Sequence, residues 1–221
     1  MSTSIVLFTN PWSRGRMARW MLEETGLPYH VRLLDYDTSM KDPSYTQLNP
    51  MGKVPSILHG DTVVTEVAAI CTYLADLVPE KELVPPVGTP ERGSFYRWMF
   101  FGAGPLEAAV TAKSLGLLAP IERRTSAGYG TYDDVMNTLE GAAKHAVTQG
   151  GGYLVGGRFT AADLYLGAQL NWGMQFNTIE RRAAFEDYCG PIVHRQACLL
   201  SNALDDADGV RMKAAAAPEE E

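Results

Sequence analysis

Short apolar runs alternate with helical spacing in the first part of the chain. Residues 4–8 and 31–34 are apolar runs of strand length. Between them, the segment from Ser13 to Thr25 has helical apolar spacing and ends at Gly26. A strand, a helix and a strand in this order predict a βαβ unit with two parallel strands.

A second group of elements follows a short connecting segment. The apolar runs 54–58 and 62–64 flank three turn-forming residues and predict an antiparallel hairpin. From Glu66 the apolar positions recur at helical spacing, which predicts a helix with one face on the sheet. Together the two groups predict an α/β domain with a mixed four-stranded sheet.

The pattern changes after a proline-rich segment. Residues 79–90 carry four prolines without periodic spacing and are typical of a linker. Beyond it the apolar spacing is helical over 91–116, 128–149, 160–176 and 179–207. The predicted domains are therefore 1–78, a linker at 79–90, and an all-helical domain at 91–221 whose end, AAAAPEEE, is expected to be a solvated or disordered tail.

Composition narrows the class of protein. A chain of 221 residues can bury a core without disulfides or metals, and its net charge of −7 disfavours nucleic acid as a partner. No apolar run is long enough to cross a membrane, and the N-terminus has no secretory pattern. Three cysteines and four histidines show no paired or metal-ligand spacing. We expect a cytoplasmic protein without a metal site.

The segment FTNPWSRGRMARWMLEETG, residues 8–26, concentrates basic residues at the start of the first helix. Arg14, Arg16 and Arg19 fall within six positions of an otherwise acidic chain. They form either a small anion site or the solvated start of a surface helix. Ser13 is well suited to cap that helix, with its oxygen accepting a backbone N–H.

Two further motifs each allow two interpretations. Pro55, at the start of a strand, is either a trans edge-strand proline, which base frequencies favour, or a cis proline that leaves the Val54 backbone free to pair with an extended peptide. Glu66, at the start of a helix, is either a favourable first-turn charge or a partner for a ligand ammonium beside a carboxylate held by the helix N-terminus.

Two stretches of the predicted helical domain carry weaker signals. Thr160 and Asp163 form a capping box, which is a structural role for this carboxylate. The aromatic stretch 96–110 lines an apolar pocket or is plain core.

Five stretches in this order, spanning nearly the whole chain, resemble the cytosolic glutathione transferase superfamily, particularly its bacterial members. They are the opening strand with SRGR, NPMGKVPSIL, TEVAAICTYLAD, the proline linker and RFTAADLYL. The resemblance implies a thioredoxin-like N-terminal domain that binds glutathione as co-substrate, a helical C-terminal domain that supplies most of the pocket for a hydrophobic electrophile, and a homodimer.

The resemblance also assigns glutathione contacts. It implies that Pro55 is cis, that the Val54 backbone pairs with the cysteinyl part of glutathione, and that Glu66 contacts the γ-glutamyl group. Val67 departs from the family, which commonly has Ser there, or Gly in some bacterial members, so a side-chain hydroxyl contact is missing while the backbone N–H remains. The candidates for the glycyl carboxylate are Lys53, Lys41 and Gln47.

The resemblance finally implies a thiol-activating donor at the first strand–helix turn, because the thiolate is the nucleophile. The family uses Tyr, Ser or Cys there. Residues 8–26 contain no Tyr or Cys, so we predict Ser13 as the donor, with Asn10 as second choice and Arg14 or Arg16 adding positive charge. Ser13 can also cap the helix.

The predicted activity is transfer of glutathione to a hydrophobic electrophile, and the alternative is a non-catalytic glutathione-binding or regulatory module of the same fold. The residues predicted from their positions to line the electrophile pocket are Trp12, Phe101, Pro105, Trp172 and Met174.

Overall fold

The computed structural model describes residues 4–216. Its contacts divide the chain into two compact units: one combines the chain up to Leu77 with the chain from Arg195 onwards, and the other is Val78–His194. The division differs from the predicted domains, which place everything after residue 90 in one helical domain. Apolar spacing identifies the last segment as a helix, but it does not say on which surface that helix packs.

The secondary structure follows the predicted order. The strands are β1 Ile5–Thr9, β2 Tyr29–Leu33, β3 Ser56–His59 and β4 Thr62–Thr65. The helices are α1 Gly15–Thr25, α2 Pro43–Thr46, α3 Val67–Asp76, α4 Pro90–Phe101, α5 Glu107–Ser114, α6 Tyr132–Thr148, α7 Ala161–Gln175, α8 Ala183–Val193 and α9 Gln196–Ala216.

The first unit is built on a mixed four-stranded sheet, which confirms the predicted fold class. Its strand order is β2-β1-β3-β4, with β1 parallel to β2 and β3 antiparallel to both of its neighbours. β3 begins at Ser56, later than the predicted run, and so leaves Val54 and Pro55 outside the strand. Helix α1 ends at the predicted glycine, since Gly26 adopts φ 68° and donates its N–H to the Leu22 carbonyl at 2.9 Å.

The core of the first unit lies between the sheet and helices α1 and α3. The side chains that are fully buried there come from both the sheet and the helices: Leu7, Ile57, Met21, Leu22, Ile70 and Leu74. Their removal from water is the main favourable contribution to folding of this unit.

The second unit consists of helices, as predicted, with two differences in detail. The predicted segment 91–116 is α4 and α5 joined by a π-helical stretch, Gly102–Leu106. The predicted segment 179–207 is two helices, because the chain leaves helical geometry after Val193 and α9 begins at Gln196. The division between the two units falls between His194 and Arg195, so α8 belongs to the second unit and α9 to the first.

The predicted capping box at α7 is confirmed. The Thr160 side chain accepts from the backbone of the first turn, and Asp163 accepts the Thr160 N–H at 2.9 Å. Asp163 also accepts from the Leu154 N–H at 2.8 Å and the Tyr188 hydroxyl at 2.9 Å. Burial raises the pKa of Asp163 to about 6, although these hydrogen bonds oppose the shift.

The predicted solvated or disordered tail, residues 214–221, lies only partly within the described residues. Residues 214–216 are exposed but continue α9, since alanine favours helix, and the rest of the predicted tail lies outside the described residues. Within residues 4–216, no helix has the length and apolar character needed to cross a membrane.

Candidate active site

Three segments of the first unit meet at one end of its sheet. Phe8, near the end of β1, lies opposite Ser56 at the start of β3, and Ser56 lies opposite Thr65 at the end of β4. The residues that follow β1, precede β3 and follow β4 therefore emerge side by side. This register brings together the predicted turn at 10–14, Val54 with Pro55, and Glu66 with Val67.

Ser13 is held inside the turn between β1 and α1. Its hydroxyl donates to the Asn10 carbonyl at 2.7 Å and accepts the Gly15 N–H at 2.9 Å. Its exposed fraction is only 8%. Helix α1 begins at Gly15, with Arg14 in the N-cap position and no side-chain cap. The prediction that Ser13 caps the helix is therefore wrong, since Ser13 lies one residue before the N-cap and supports the turn instead.

Asn10 is also engaged within the turn. Its side-chain amide donates to the Leu34 carbonyl at 2.8 Å, and its side-chain oxygen accepts the Trp12 N–H at 3.0 Å. The side chain is almost fully buried. A neutral carboxamide has two N–H donors, and one of them is used in this contact.

The turn has supports that sequence reasoning missed. Tyr36 donates its hydroxyl to the Trp12 carbonyl at 3.0 Å. Burial raises the pKa of the Tyr36 phenol while the nearby Arg14 opposes the shift, so the hydroxyl keeps its proton for this bond. No local signal identifies Tyr36, because it lies 24 residues from Trp12 in the sequence.

Gly15 lies close to the Thr9 side chain, which the sequence analysis did not predict. A Cβ on Gly15 would lie 1.8 Å from the Thr9 Oγ1. Thr9 is fully buried, and its Oγ1 has no hydrogen-bond partner among the described residues. Only glycine fits at the first position of α1 without displacing Thr9.

The bond between Val54 and Pro55 is cis, as the resemblance implies and contrary to the base-frequency expectation from the residues alone. The preceding carbonyl, of Lys53, accepts from the Tyr45 hydroxyl at 2.5 Å and the Asn49 amide at 2.8 Å. The Val54 N–H and carbonyl have no partner within residues 4–216. They are therefore available to an extended ligand backbone.

The start of α3 offers unpaired N–H groups. The first-turn N–H groups of Val67, Ala68 and Ala69 lack partners in the described part of the chain, and the Glu66 side chain does not cap them. Glu66 is exposed and has φ 64°, ψ 119°. A non-glycine residue in such a sparsely populated conformation costs about 1–3 kcal/mol, and such residues cluster at functional sites.

The remaining residues predicted to contact glutathione lie in different environments. The Lys53, Gln47 and Arg14 side chains are exposed. Lys41 instead donates its ammonium to the Gly52 carbonyl at 2.9 Å. The buried Val67 side chain presents only methyl groups beside the helix N-terminus.

The predicted electrophile-pocket residues belong to both units. Trp12 in the first unit has 46% of its surface exposed. In the second unit, Phe101, Pro105 and Trp172 are half-buried, while Met174 is buried. Trp172 packs edge to face with Phe176, with ring centres 5.9 Å apart.

Helix α7 comes close to the π-helical stretch that contains Pro105. A Cβ on Gly102 would lie 2.9 Å from Tyr165 and 3.0 Å from Gln169. Phe101 and Pro105 therefore border the same close contact between helices, and the Phe101 ring packs edge to face on Trp98 at 5.7 Å. Because Phe101 and Trp98 both lie on α4, this ring contact is within one helix.

The described residues hold no cluster of metal ligands, and their three cysteines are buried. Within residues 4–216, no group of three or more His, Cys, Asp or Glu side chains is arranged to hold a metal ion. Cys71, Cys189 and Cys198 are unpaired and buried. Burial raises the pKa of the Cys71 thiol to about 12, which leaves it protonated and unreactive at neutral pH.

The strand order and the cis-proline before β3 place the first unit in the thioredoxin-like class. Comparison with known proteins narrows the class. Residues 11–77 match the family model for the glutathione S-transferase N-terminal domain. A glutathione S-transferase of Emericella nidulans, stcT, is 30% identical over 72% of this chain and 72% of its own. The chain belongs to the glutathione S-transferase family.

Two further relatives cover more of the chain. GstA, a glutathione S-transferase of Escherichia coli O157:H7, is 29% identical over 81% of this chain and 89% of its own. The crystal structure of a glutathione transferase from Methylococcus capsulatus is 26% identical, with a TM-score of 0.75 over 92% of this chain and 99% of that one. The similarity therefore includes the helical unit as well as the thioredoxin-like unit.

Proposed function

We propose that the protein is a glutathione transferase that ionises the thiol of bound glutathione for attack on a hydrophobic electrophile. The observation that carries this proposal is the convergence of the β1–α1 turn, the free Val54 backbone and the uncapped N-terminus of α3 at one end of the sheet. Family membership supports the reaction class. The same family resemblance leads us to propose a cytoplasmic homodimer.

Glutathione would bind in an extended conformation along this end of the sheet. The Val54 N–H and carbonyl pair with its cysteinyl residue. The Val67 N–H donates to the γ-glutamyl carboxylate at the positive end of α3. Glu66 holds the neighbouring ammonium. Lys53 and Gln47 donate to the glycyl carboxylate, whereas the Lys41 ammonium already donates to the Gly52 carbonyl.

The sulfur would lie against the β1–α1 turn. An ordinary thiol, with a pKa near 8.5, is only a few per cent ionised at neutral pH, so binding must favour the thiolate. The Ser13 hydroxyl turns its proton from the Asn10 carbonyl to the sulfur and still accepts the Gly15 N–H. Arg14 and the N-terminus of α1 add positive potential. The thiol proton is released to solvent as the thiolate forms. The thiolate then forms a carbon–sulfur bond as the leaving group departs with its electron pair.

Retention on a glutathione column together with an aryl-halide conjugation assay tests the proposed activity. We expect retention and turnover. Retention without turnover would identify a glutathione-binding module instead, and absence of both would contradict the proposal.

Ser13→Ala tests the donor. A hydrogen bond to a charged group contributes about 1.5–3 kcal/mol, so we expect kcat at neutral pH to fall by about 10-fold to 100-fold and the pKa of the bound thiol, read from thiolate ultraviolet absorbance, to rise.

Two variants accompany that measurement. Ser94→Ala, an exposed serine of α4, makes the same chemical change outside the β1–α1 turn and should leave both quantities unchanged. If Ser13→Ala changes the rate by less than twofold while Asn10→Ala abolishes activity at unchanged melting temperature, Asn10 and not Ser13 is the donor.

A further inference from the structure

Arg16, in the first turn of α1, contacts the β1–α1 turn that contains Ser13. The Arg16 Nε donates to the Pro11 carbonyl at 2.6 Å. This direction is natural, because helical side chains lean toward the N-terminus of their helix. The Pro11 carbonyl lies between Asn10 and Ser13 in the chain, so its orientation affects both predicted donors.

The other nitrogens of Arg16 are held by α9. Nη2 donates to the Asp206 Oδ1 at 2.5 Å, and Nη1 donates to the Asn202 Oδ1 at 3.3 Å. Asn202 and Asp206 are one turn apart and share a face of α9. Because a guanidinium is planar and rigid, these contacts fix the direction in which Nε points at Pro11.

Helix α9 is itself anchored on α1 by buried charges. Arg19, one turn beyond Arg16, lies 2.5 Å from the Asp208 carboxylate and 3.3 Å from the Asp205 carboxylate. All three side chains are almost completely buried. Breaking a buried pair of this kind is strongly destabilising, so α9 is a fixed frame for Arg16.

The neighbouring residue of the turn also packs on α9. A Cβ on Gly209 would lie 3.4 Å from the Trp12 ring, and the Lys213 ammonium lies 5.5 Å from the centre of that ring. On the other side, the Trp12 carbonyl accepts from the Tyr36 hydroxyl. Two consecutive carbonyls of the turn are thus held by side chains from outside it.

We propose that Arg16, oriented by Asp206 and Asn202, is a positioning residue that holds the Pro11 carbonyl and thereby aims the thiol-activating turn. This inference rests on the proposed function. The Arg16 charge is paired with the Asp206 carboxylate, so the role proposed for Arg16 is orientation of the carbonyl and not positive charge on the sulfur. Its ion pair is partly exposed, with side-chain exposed fractions of 21% and 68%, so by itself it contributes little to stability.

Substitutions of Asp206 separate positioning from electrostatics. Loss of a carboxylate near the site would lower the pKa of the bound thiol by Coulomb's law alone, because a negative charge disfavours a thiolate. If Asp206 acts by orienting Arg16, Asp206→Ala should instead raise that pKa and lower kcat by about twofold to tenfold, which is what one net hydrogen bond contributes. KM for glutathione and the melting temperature should change little.

Asp206→Asn is the matched variant. It removes the charge but keeps an oxygen that accepts from Arg16, so we expect it to restore the thiol pKa and kcat of the unsubstituted protein. Asp187→Ala, an exposed carboxylate of α8, controls for the loss of one negative charge. An unchanged or lowered thiol pKa in Asp206→Ala, or failure of Asp206→Asn to restore it, would overturn the positioning role.

Amide hydrogen exchange of residues 10–16 without glutathione gives a readout independent of activity. Faster exchange in Asp206→Ala than in Asp206→Asn supports positioning of the turn, and equal exchange contradicts it. If the unsubstituted protein binds glutathione without lowering its thiol pKa, the proposed function fails, and the exchange measurement alone then decides whether Arg16 orders the turn.

Discussion

Gly15→Ala should destabilise the protein through a single close contact. The added Cβ would lie 1.8 Å from the Thr9 Oγ1, 2.9 Å from the Ser13 Oγ and 3.0 Å from the Thr9 Cβ, whereas ordinary contact begins at 3.4 Å. Thr9 is completely buried and cannot swing into solvent. Overpacking of a buried site typically costs about 1–3 kcal/mol.

The expected change can be measured by thermal unfolding. For a chain of this size, 1 kcal/mol corresponds to roughly 2–4 °C, so Gly15→Ala should lower the melting temperature by roughly 2–12 °C. Gly141→Ala is the matched control, because a Cβ there meets nothing within 4 Å in the middle of α6. It should raise stability by about 0.4–1 kcal/mol, the usual gain when alanine replaces an unstrained glycine.

A double-mutant cycle identifies the contact. Thr9→Ala removes the Oγ1, which has no hydrogen-bond partner among the described residues, so the cost of Gly15→Ala in that background should fall by at least about 1 kcal/mol. An unchanged melting temperature in Gly15→Ala, or an equal loss with and without Thr9, would refute this reasoning.

Two further predictions concern α7 and α3. Because burial raises the pKa of Asp163 from 3.8 to about 6, the folded state binds this proton more tightly than the unfolded state, and stability attributable to Asp163 should fall as pH rises from 4 to 6. Denaturant unfolding should show the protein losing about 2 kcal/mol over this range relative to Asp163→Asn, and parallel pH profiles would contradict it. Val67→Ser should lower the Kd for glutathione by about twofold to tenfold through one added hydrogen bond, whereas Val67→Ala should not; equal Kd values in calorimetry would exclude that contact.

Local patterns were sufficient for much of the fold. The βαβ unit, the end of α1 at Gly26 and the capping box of Thr160 and Asp163 were predictable because each depends on residues close together in the chain. The ordered motifs also indicated the family, and the family resemblance predicted the cis bond before Pro55. The prediction of strand β3 was less accurate, since the predicted strand begins at residue 54 and β3 begins at Ser56.

The sequence by itself therefore determined the order of most elements and the three segments that meet at the proposed thiol site. Only the tertiary structure decided how those residues are held. Arg16 meets Asp206 across 190 positions, and the Ser13 proton is directed to Asn10 by the geometry of the turn. The physical reason is that periodicity reports which face of an element is apolar, whereas the partner of a polar side chain depends on which elements pack together.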